Sequence, residues 1–419
     1  MAVLHRTRTL PALMPRYVER FQCLGPSCED TCCAGWPIHI DKKTYKAYRQ
    51  DGAQEPVRSL SKSLVRFDHG AGNGNYAMIR TEGQEQRCPA MADGLCSVHK
   101  TLGDTHLSDV CHSYPRVTQQ FGGQVEQVLT LSCPQAARLA LLAEDAFEFT
   151  EGSVTLREAT IARFDGHPDL APALMNDVRI FCLNLMRTRE LALWQRLALL
   201  GVFCESLSKH MGSGRQAGIP ALLERFIGLV EAGELQASLD QVQPNHGAQA
   251  MVFATLWGAK GFAAPSPYQQ ALIGRISAGL GADENGQTEA AALVAAYTAG
   301  LARLDQVLAD APFLLENYLL NEMFVQVFPF AAADVYDNYL HLVARFGLLR
   351  LLLAARCNAP ADVSADLHED ALGVQALAAI VQLHCRRFQH DSSYTRQIHF
   401  SLHDSGWASL DKLYSLLRT

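Results

Sequence analysis

This sequence of 419 residues lacks the features that mark membrane, secreted and nucleic-acid-binding proteins. Its strongest apolar run, from Val343 to Ala355, is interrupted by two arginines and is too short to cross a bilayer. The N-terminal segment has no apolar stretch of the kind found in secretory signal peptides. The net charge of −7 gives no electrostatic reason to expect nucleic-acid binding, which usually leaves a basic patch. We therefore expect a cytoplasmic protein without a transmembrane segment or a nucleic-acid partner.

Common cofactor-binding and metal-binding patterns are missing as well. No strand, glycine-rich turn and helix follow one another as they do at the start of a nucleotide-binding, doubly wound fold. Gly279-Leu-Gly281 instead follows a helical stretch, so we expect it at a helix end. The chain has no C-x2-C pair of the kind that zinc ribbons use, and no C-x3-C-x2-C motif. A bound metal or nucleotide-type cofactor would therefore occupy a site of an uncommon kind.

What the sequence does contain is an uneven distribution of cysteine. Twelve cysteines are present, and eight of them lie in the first third of the chain, at Cys23, Cys28, Cys32, Cys33, Cys88, Cys96, Cys111 and Cys133. Thiols stay reduced in the cytoplasm, so this density favours metal binding over disulfides. Four thiolates suit zinc or an iron–sulfur cluster, and His99 and His112 leave a mixed cysteine and histidine site open. Neighbouring side chains diverge, so adjacent Cys32 and Cys33 are not expected to bind one small ion together.

Composition and periodicity predict a mainly α protein with two domains. We expect an irregular, cysteine-rich N-terminal domain with little β structure over residues 1–155, followed by an all-α helical domain over residues 156–419. Thr150 to Ser153 interrupts the helical pattern near this boundary. Helices are predicted at 169–188, 190–211, 219–232, 247–261, 267–280, 287–310, 313–328, 332–356, 370–389 and 406–418. The four cysteines on their apolar faces are expected to pack in the core, namely Cys182, Cys204, Cys357 and Cys385.

Turn and capping signals predict short elements around the N-terminal cysteines. They indicate helices at 42–50 and 132–147 and a strand at 124–131. Asp41 and Ser132 are expected to cap the two helices. Asp93-Gly94 is expected to form a tight turn between Cys88 and Cys96. Such a turn would let these two sulfurs converge.

Several blocks of this sequence occur together in the order found in one known family: Cys23–Trp36, Cys88–Gly103, Cys111–Arg116 and Leu131–Pro134, with a weaker match at Pro15–Phe21. In these blocks the chain resembles the flagellin lysine-N-methylases. The broader group is described as a zinc- or iron-chelating domain. Leu315–Glu322 and Val327–Phe330 are similar to the family's helical C-terminal region, but more loosely, so the substrate could differ from flagellin.

The resemblance implies S-adenosylmethionine-dependent methylation of lysine side chains on a protein substrate, flagellin in the family. It also implies that cysteines hold an iron–sulfur cluster of the [4Fe–4S] type, with zinc as the alternative. Two other functions stay open. One is a non-enzymatic zinc or iron–sulfur protein whose helical domain binds a partner, and the other is a redox enzyme that uses the cluster for electron transfer.

The matched blocks supply candidates for the site. Cys33, Cys88, Cys96 and Cys111 form the first choice of metal ligands, followed by Cys28, Cys32 and Cys133, and then by Cys23. Tyr114 and Glu322 are the candidates for orienting or deprotonating the lysine amine, although structural hydrogen bonds would explain them too. Arg116 is the candidate for binding the carboxylate of the methyl donor, with a structural salt bridge as the alternative. His390-Asp391 is expected to mark a polar helix end and is assigned no catalytic role.

Overall fold

The computed structural model describes most of the chain. The described residues are 4–50, 54–67, 72–164, 170–212, 214, 216–233, 236–260, 266–332, 334–360 and 372–419. The first residues of the predicted helix at 370–389 lie outside them.

The described strands all lie in the first 164 residues. They are β1 (Arg8–Pro15), β2 (Ile38–Ile40), β3 (Leu64–Arg66), β4 (Ala77–Ile79), β5 (Met91–Ala92), β6 (Leu95–Cys96), β7 (Arg116–Phe121), β8 (Gln124–Leu129), β9 (Phe149–Leu156) and β10 (Ile161–Phe164). A five-stranded mixed sheet has the order β10-β7-β8-β1-β9, a three-stranded sheet has the order β2-β4-β3, and β5 pairs with β6. In the large sheet β1 runs antiparallel to β9, from Arg8 opposite Leu156 to Pro15 opposite Phe149.

Helices make up most of the remainder. The short N-terminal ones are α1 (Arg16–Glu19), α2 (Lys42–Tyr48), α3 (Val57–Leu60), α4 (Ser97–Leu102), α5 (Asp109–Ser113) and α6 (Pro134–Leu141). The C-terminal ones are α7 (Pro172–Met186), α8 (Leu193–Gly212), α9 (Ile219–Ala232), α10 (Gln236–Leu239), α11 (His246–Ala259), α12 (Pro267–Gly279), α13 (Ala290–Leu308), α14 (Leu314–Val325), α15 (Val335–Asn358), α16 (Val374–Phe388), α17 (Ser392–Asp404) and α18 (Leu410–Leu417). None of the described helices is long and apolar enough to cross a membrane.

The prediction of a mainly α protein is confirmed, and each predicted C-terminal helix corresponds to an observed one. The central helix α15 is buried almost throughout, because Leu, Val and Ala occupy nearly every side of it and α8, α11, α12 and α13 pack around it. The helix α17 was not predicted, since its sequence is polar; among its residues whose burial the structure describes, Tyr394, Ile398 and Leu402 are the buried ones. These three residues have the four-residue spacing of one helical face.

The prediction of little β structure in the N-terminal part is wrong. Thr150 to Ser153, which the sequence suggested as an interruption, lies inside β9. The partner strand β1 contains Pro11 and Pro15, residues that normally argue against a strand. The glycine at position 152 is explained by packing, because a Cβ atom there would come within 2.9 Å of Met14 Cε on the neighbouring strand. Prolines and a glycine thus obscured two long strands.

Two hydrophobic cores organise the described residues. The large core joins the five-stranded sheet to the C-terminal helices and includes the buried Cys182, Cys204, Cys357 and Cys385, as predicted. The small core lies under the three-stranded sheet and the β5–β6 hairpin. Strand β10 follows residue 155 and still belongs to the large sheet. The division of the chain into domains at residue 155 stays a prediction.

Local signals around the cysteines behave mostly as expected. Asp41 caps α2, and its carboxylate accepts a hydrogen bond from the Thr44 amide at 2.8 Å. Asp93 and Gly94 both have positive φ and form the tight turn between β5 and β6. Ser132 does not cap α6; Cys133 holds that position, and the helix ends at Leu141 rather than near Phe147.

Candidate metal and cofactor site

A cavity of about 1450 Å³ lies beside the edge of the large sheet. All eight N-terminal cysteines line it, although they come from segments spread over more than a hundred residues. The lining also includes the ends of β1 and β9 and, from the C-terminal part, His390. The protein therefore brings its dispersed thiols together at one internal surface.

Three of these cysteines, Cys33, Cys88 and Cys96, belong to the small core or its edge. Cys111, whose thiol interacts electrostatically with Cys96 and Cys88, completes what we call the first thiol group: Cys33, Cys88, Cys96 and Cys111. The amide of Cys88 donates to the carbonyl of Cys33 at 2.8 Å, which joins two distant segments. Cys96 ends β6 and caps α4, and Cys111 lies in α5. Burial raises the pKa of Cys111 to about 12, and the neighbouring Cys96 and Cys88 contribute.

The other four form the second thiol group: Cys23, Cys28, Cys32 and Cys133. Cys133 caps α6 and packs on the large core. Burial raises the pKa of Cys28 to about 12 and that of Cys133 to about 11, with smaller contributions from nearby thiols of the same group. The two groups are thus supported by different parts of the fold.

Adjacent Cys32 and Cys33 connect the two groups. A hydrogen bond between the two thiols, assisted by the charge of Arg386, lowers the pKa of Cys32 to about 7 against the effect of burial. The same contact raises the pKa of Cys33. Cys32 also acts electrostatically on Cys88 and Cys111, so it lies near thiols of both groups.

The spacing of the sulfurs bears on which metal could fit. Among the described residues, no three cysteine sulfurs lie within 4.8 Å of one another. A closed tetrahedral zinc site with four thiolates requires sulfur–sulfur separations of about 3.8 Å, given its short zinc–sulfur bonds. An iron–sulfur cluster interposes several atoms between its thiolates and therefore keeps them further apart. The described sulfurs therefore do not have the spacing of a closed zinc site.

The C-terminal helices hold the segment Cys23–Trp36, which we call the first cysteine segment, in place. Arg386 on α16 donates from Nη2 to the carbonyls of Thr31 at 2.9 Å and Ala34 at 2.6 Å. Its Nε lies 3.2 Å from the Asp30 carboxylate, which is fully buried. Gln382 on α16 donates to the same carboxylate at 2.8 Å. The cysteine segment is therefore anchored to a helix more than 350 residues away in sequence.

Tyr114 lines the cavity, as a site residue should. Its hydroxyl lies 3.2 Å from Ser132 Oγ, which in turn lies 2.9 Å from His390 Nε2. The rings of Tyr114 and His390 both meet the indole of Trp36 edge-on. Burial raises the pKa of Tyr114, whereas burial and then the charge of Arg386 lower the pKa of His390. Both side chains are thus held neutral near pH 7.

His390 is the residue that sequence reasoning missed. α16 ends at Phe388 and Asp391 caps α17, so the sequence signal of a helix end was correct. That signal could not show that the short connection between the helices faces the cysteine cavity.

Glu322 is not among the residues that line the cavity. It is buried on α14, pairs with Arg345 at 3.3 Å and accepts a hydrogen bond from Gln389 at 2.6 Å. Gln389 accepts in turn from Thr130, whose hydroxyl lies 3.0 Å from Ser132 Oγ. Glu322 is therefore connected to Tyr114 only through a hydrogen-bond network.

Arg116 lines the cavity at the start of β7. Its guanidinium lies over the ring of Phe21, 5.2 Å from the ring centroid. Burial lowers its pKa, and the thiols of Cys23 and Cys133 act in the opposite direction. The structural salt bridge that the sequence left open is not observed among the described residues.

Comparison with known proteins places this chain in a family. The family model described as the FliB lysine N-methylase C-terminal domain matches residues 179–416, which is more than half of the chain. The chain belongs to the FliB lysine N-methylase family. The match covers α8 to α18, including the helix that carries Arg386.

Individual relatives agree with this family. A protein named lysine-N-methylase from Salmonella typhimurium is 31% identical over 173 residues, which is 41% of each chain. The flagellar biosynthetic protein FliU of Salmonella muenchen is 32% identical over 153 residues, 36% of this chain and 88% of the relative. The aligned region thus spans about two fifths of the length of the first of these relatives. No solved structure matches the chain.

Proposed function

We propose that this protein is an S-adenosylmethionine-dependent protein-lysine N-methyltransferase that acts on flagellin. The observation that carries the proposal is the cavity lined by eight thiols next to helices of a lysine N-methylase family. The relatives' names, which include a lysine-N-methylase and a flagellar biosynthetic protein, support the reaction and the substrate.

The first thiol group is our proposed ligand set for a [4Fe–4S] cluster. Three of its members, Cys33, Cys88 and Cys96, lie in or against one small core, and no three cysteine sulfurs of the described residues are as close together as a closed zinc site requires. When bound, the cluster would supply a redox-active, electrophilic metal centre at the cavity wall. The second thiol group is the alternative ligand set. Its member Cys32 also lies near the first group and is therefore a candidate ligand in both sets.

Arg116 is our proposed contact for the carboxylate of S-adenosylmethionine. A guanidinium binds a carboxylate with two parallel hydrogen bonds, and this one has no carboxylate partner among the described side chains. The cavity is large enough for the donor, since small-molecule sites usually measure about 300–1,000 Å³. Its apolar and aromatic lining would also exclude water from the reacting groups.

Tyr114 and His390 are the proposed contacts for the lysine amine. Methyl transfer needs a neutral amine, so a group that accepts a proton or a hydrogen bond from nitrogen must lie in the cavity. The Tyr114 hydroxyl oxygen can accept such a bond while it donates to Ser132. The imidazole of His390, kept neutral by its lowered pKa, can accept a hydrogen bond from the amine through the nitrogen that Ser132 does not use.

The test combines metal analysis with methyl transfer. Protein purified without oxygen is analysed for iron, sulfide and zinc, and is then incubated with methyl-labelled S-adenosylmethionine and flagellin. We expect a brown, iron-containing protein and labelled methyl-lysine in flagellin but not in flagellin whose lysines have been acetylated. Iron-loaded protein that methylates no lysine would instead favour the non-enzymatic or redox alternative.

A further inference from the structure

Two C-terminal helices present carboxylate and imidazole side chains to each other, and these side chains do not line the cysteine cavity. α15 carries Asp337, and α17 carries His399 and His403, which are four residues apart and share one face of the helix. Asp337 Oδ1 lies 3.5 Å from His399 Nδ1 and also 3.5 Å from His403 Nε2. One donor atom from each residue lies within 4.8 Å of the other two. The three donors therefore converge on one point between the helices.

A further histidine stands beside these three. His341 follows Asp337 by four residues, so it lies on the same face of α15. Its ring centroid is 5.9 Å from that of His399. Its Nε2 is buried and has no hydrogen-bond partner in the described part of the chain, although buried polar atoms usually have one. An unsatisfied imidazole nitrogen next to three convergent donors indicates a missing partner.

The geometry fits a cation better than a hydrogen-bonded pair. Both histidine–aspartate contacts are longer than the 2.7–3.2 Å range typical of N–H···O hydrogen bonds. Zinc binds histidine nitrogen and carboxylate oxygen at about 2.0–2.2 Å, so an ion between these atoms would fill the gap. The side chains of Asp337 and His399 are about one third exposed, which gives an ion access from solvent. The nearest cation on α15, Arg345, is paired with Glu322.

A second cluster of the same residue types shows the contrast. His5, Asp41 and Asp109 also have donor atoms within 4.8 Å of one another. Their carboxylates are already in use, since Asp41 caps α2 and Asp109 pairs with the buried guanidinium of Arg157 at 3.1 Å. The guanidinium of Arg157 therefore already supplies the positive charge next to that cluster. Among the described residues, the ion-pair partners of Asp337 are His399 and His403, with no lysine or arginine within 4.0 Å.

We propose that Asp337, His399 and His403 bind a divalent transition-metal ion of the zinc type, with the His341 ring lying beside this ligand set. The ion joins α17 to the central helix α15. Two histidines and a carboxylate are a common protein ligand set for zinc in sites that keep a position for water. This site is separate from the thiols and does not depend on the proposed methyl transfer.

The test measures zinc binding in the whole protein, with the cysteine-bound metal retained. Wild type and the double variant His399→Asn/His403→Asn are dialysed against buffered zinc chloride, and the zinc and iron per chain are then measured. We expect the double variant to bind one zinc ion fewer per chain and to keep the same iron content. Zinc should raise the melting temperature of the wild type more than that of the double variant.

Two further variants separate a metal site from a structural contact. Asp337→Asn keeps the shape of the side chain but loses its charge, and it should weaken zinc binding at least about tenfold. The control His210→Asn changes a histidine of α8 whose Nδ1 lies 2.8 Å from the Ser206 carbonyl, and its zinc content should equal that of the wild type. Equal zinc content in wild type, the double variant and Asp337→Asn would overturn the proposal.

Discussion

The guanidinium of Arg386 lies over the indole of Trp36, 4.3 Å from the ring centroid. Arg386 belongs to the region that matches the methylase family, and Trp36 closes the first cysteine segment. The two residues are separated by 350 positions in sequence, yet one stacking contact and several hydrogen bonds join them. The position of the cysteines is therefore set in part by the C-terminal helices.

Replacing Arg386 should destabilise this junction. Arg386→Gln leaves the buried carboxylate of Asp30 without its cation, and breaking a buried ion pair in this way costs about 3–5 kcal/mol. Urea unfolding should show the loss, and iron content should fall with it. Arg396→Gln on the exposed face of α17 is the matched control and should change the unfolding free energy by less than about 0.5 kcal/mol. A stable Arg386→Gln variant with full iron content would contradict this role.

The two thiol groups can be separated by substitution. If the first group holds the cluster, Cys96→Ser should lose most of the iron and the visible absorption, because serine is a poor ligand for iron–sulfur clusters. Cys133→Ser should retain both. The control Cys204→Ala alters a buried core thiol that is remote from the cavity and should leave the iron content unchanged. The opposite result for Cys96 and Cys133 would assign the cluster to the second group.

Removing the hydroxyl of Tyr114 tests its proposed contact with lysine. Tyr114→Phe keeps the edge-on contact with Trp36 and leaves Ser132 bonded to His390. We expect kcat for methyl transfer to fall about 10²-fold, within the range typical of a lost general acid–base or orienting group. The melting temperature should change little. Unchanged kcat at saturating flagellin would show that the Tyr114 hydroxyl does not act on the lysine amine.

His384 should make stability depend on pH. Burial, and then the charge of Arg345, lowers its pKa to about 3 in the folded protein, whereas an unfolded histidine titrates near 6.5. Between these values the unfolded state binds a proton that the folded state does not. Stability is therefore full above about pH 6.5 and is lost as the pH falls, by up to about 1.4 kcal/mol per pH unit.

Urea unfolding at several pH values checks this slope, with His384→Gln as the comparison. The glutamine variant cannot bind the proton in either state, so its stability should fall less steeply between pH 6.5 and pH 4. Parallel curves for the two proteins would show that His384 does not contribute to the slope.

The sequence predicted helices better than it predicted the site. Repeating apolar residues indicated the long helices, and α9 was predicted with its observed ends, because burial on one face leaves a periodic pattern. Strands β1 and β9 were missed because they contain Pro11 and Gly152, residue types that are disfavoured inside strands. The gathering of the thiols could be anticipated from cysteine density, but their division into two groups depends on which core each segment packs against.

Contacts between distant segments left no local signal. The helix α17 owes its position to three buried side chains and carries His399 and His403 on a polar sequence. Likewise, nothing near His390 in sequence indicates that it faces Trp36 and Tyr114. Such residues can be recognised only when the packing of the helices is known.

The pairing of β1 with β9 has a consequence for how the protein is made. All eight clustered cysteines lie between these two strands in sequence, so the large sheet closes a loop that contains every one of them. During synthesis all eight cysteines are translated before β9. The loop that contains them therefore stays open until β9 can pair with β1. A metal delivered at that stage would shorten the loop and lower the entropy cost of closing it. Truncation before Phe149 would leave β1 without its longest pairing, and the cysteine region would then lose the strand that pairs across its two ends.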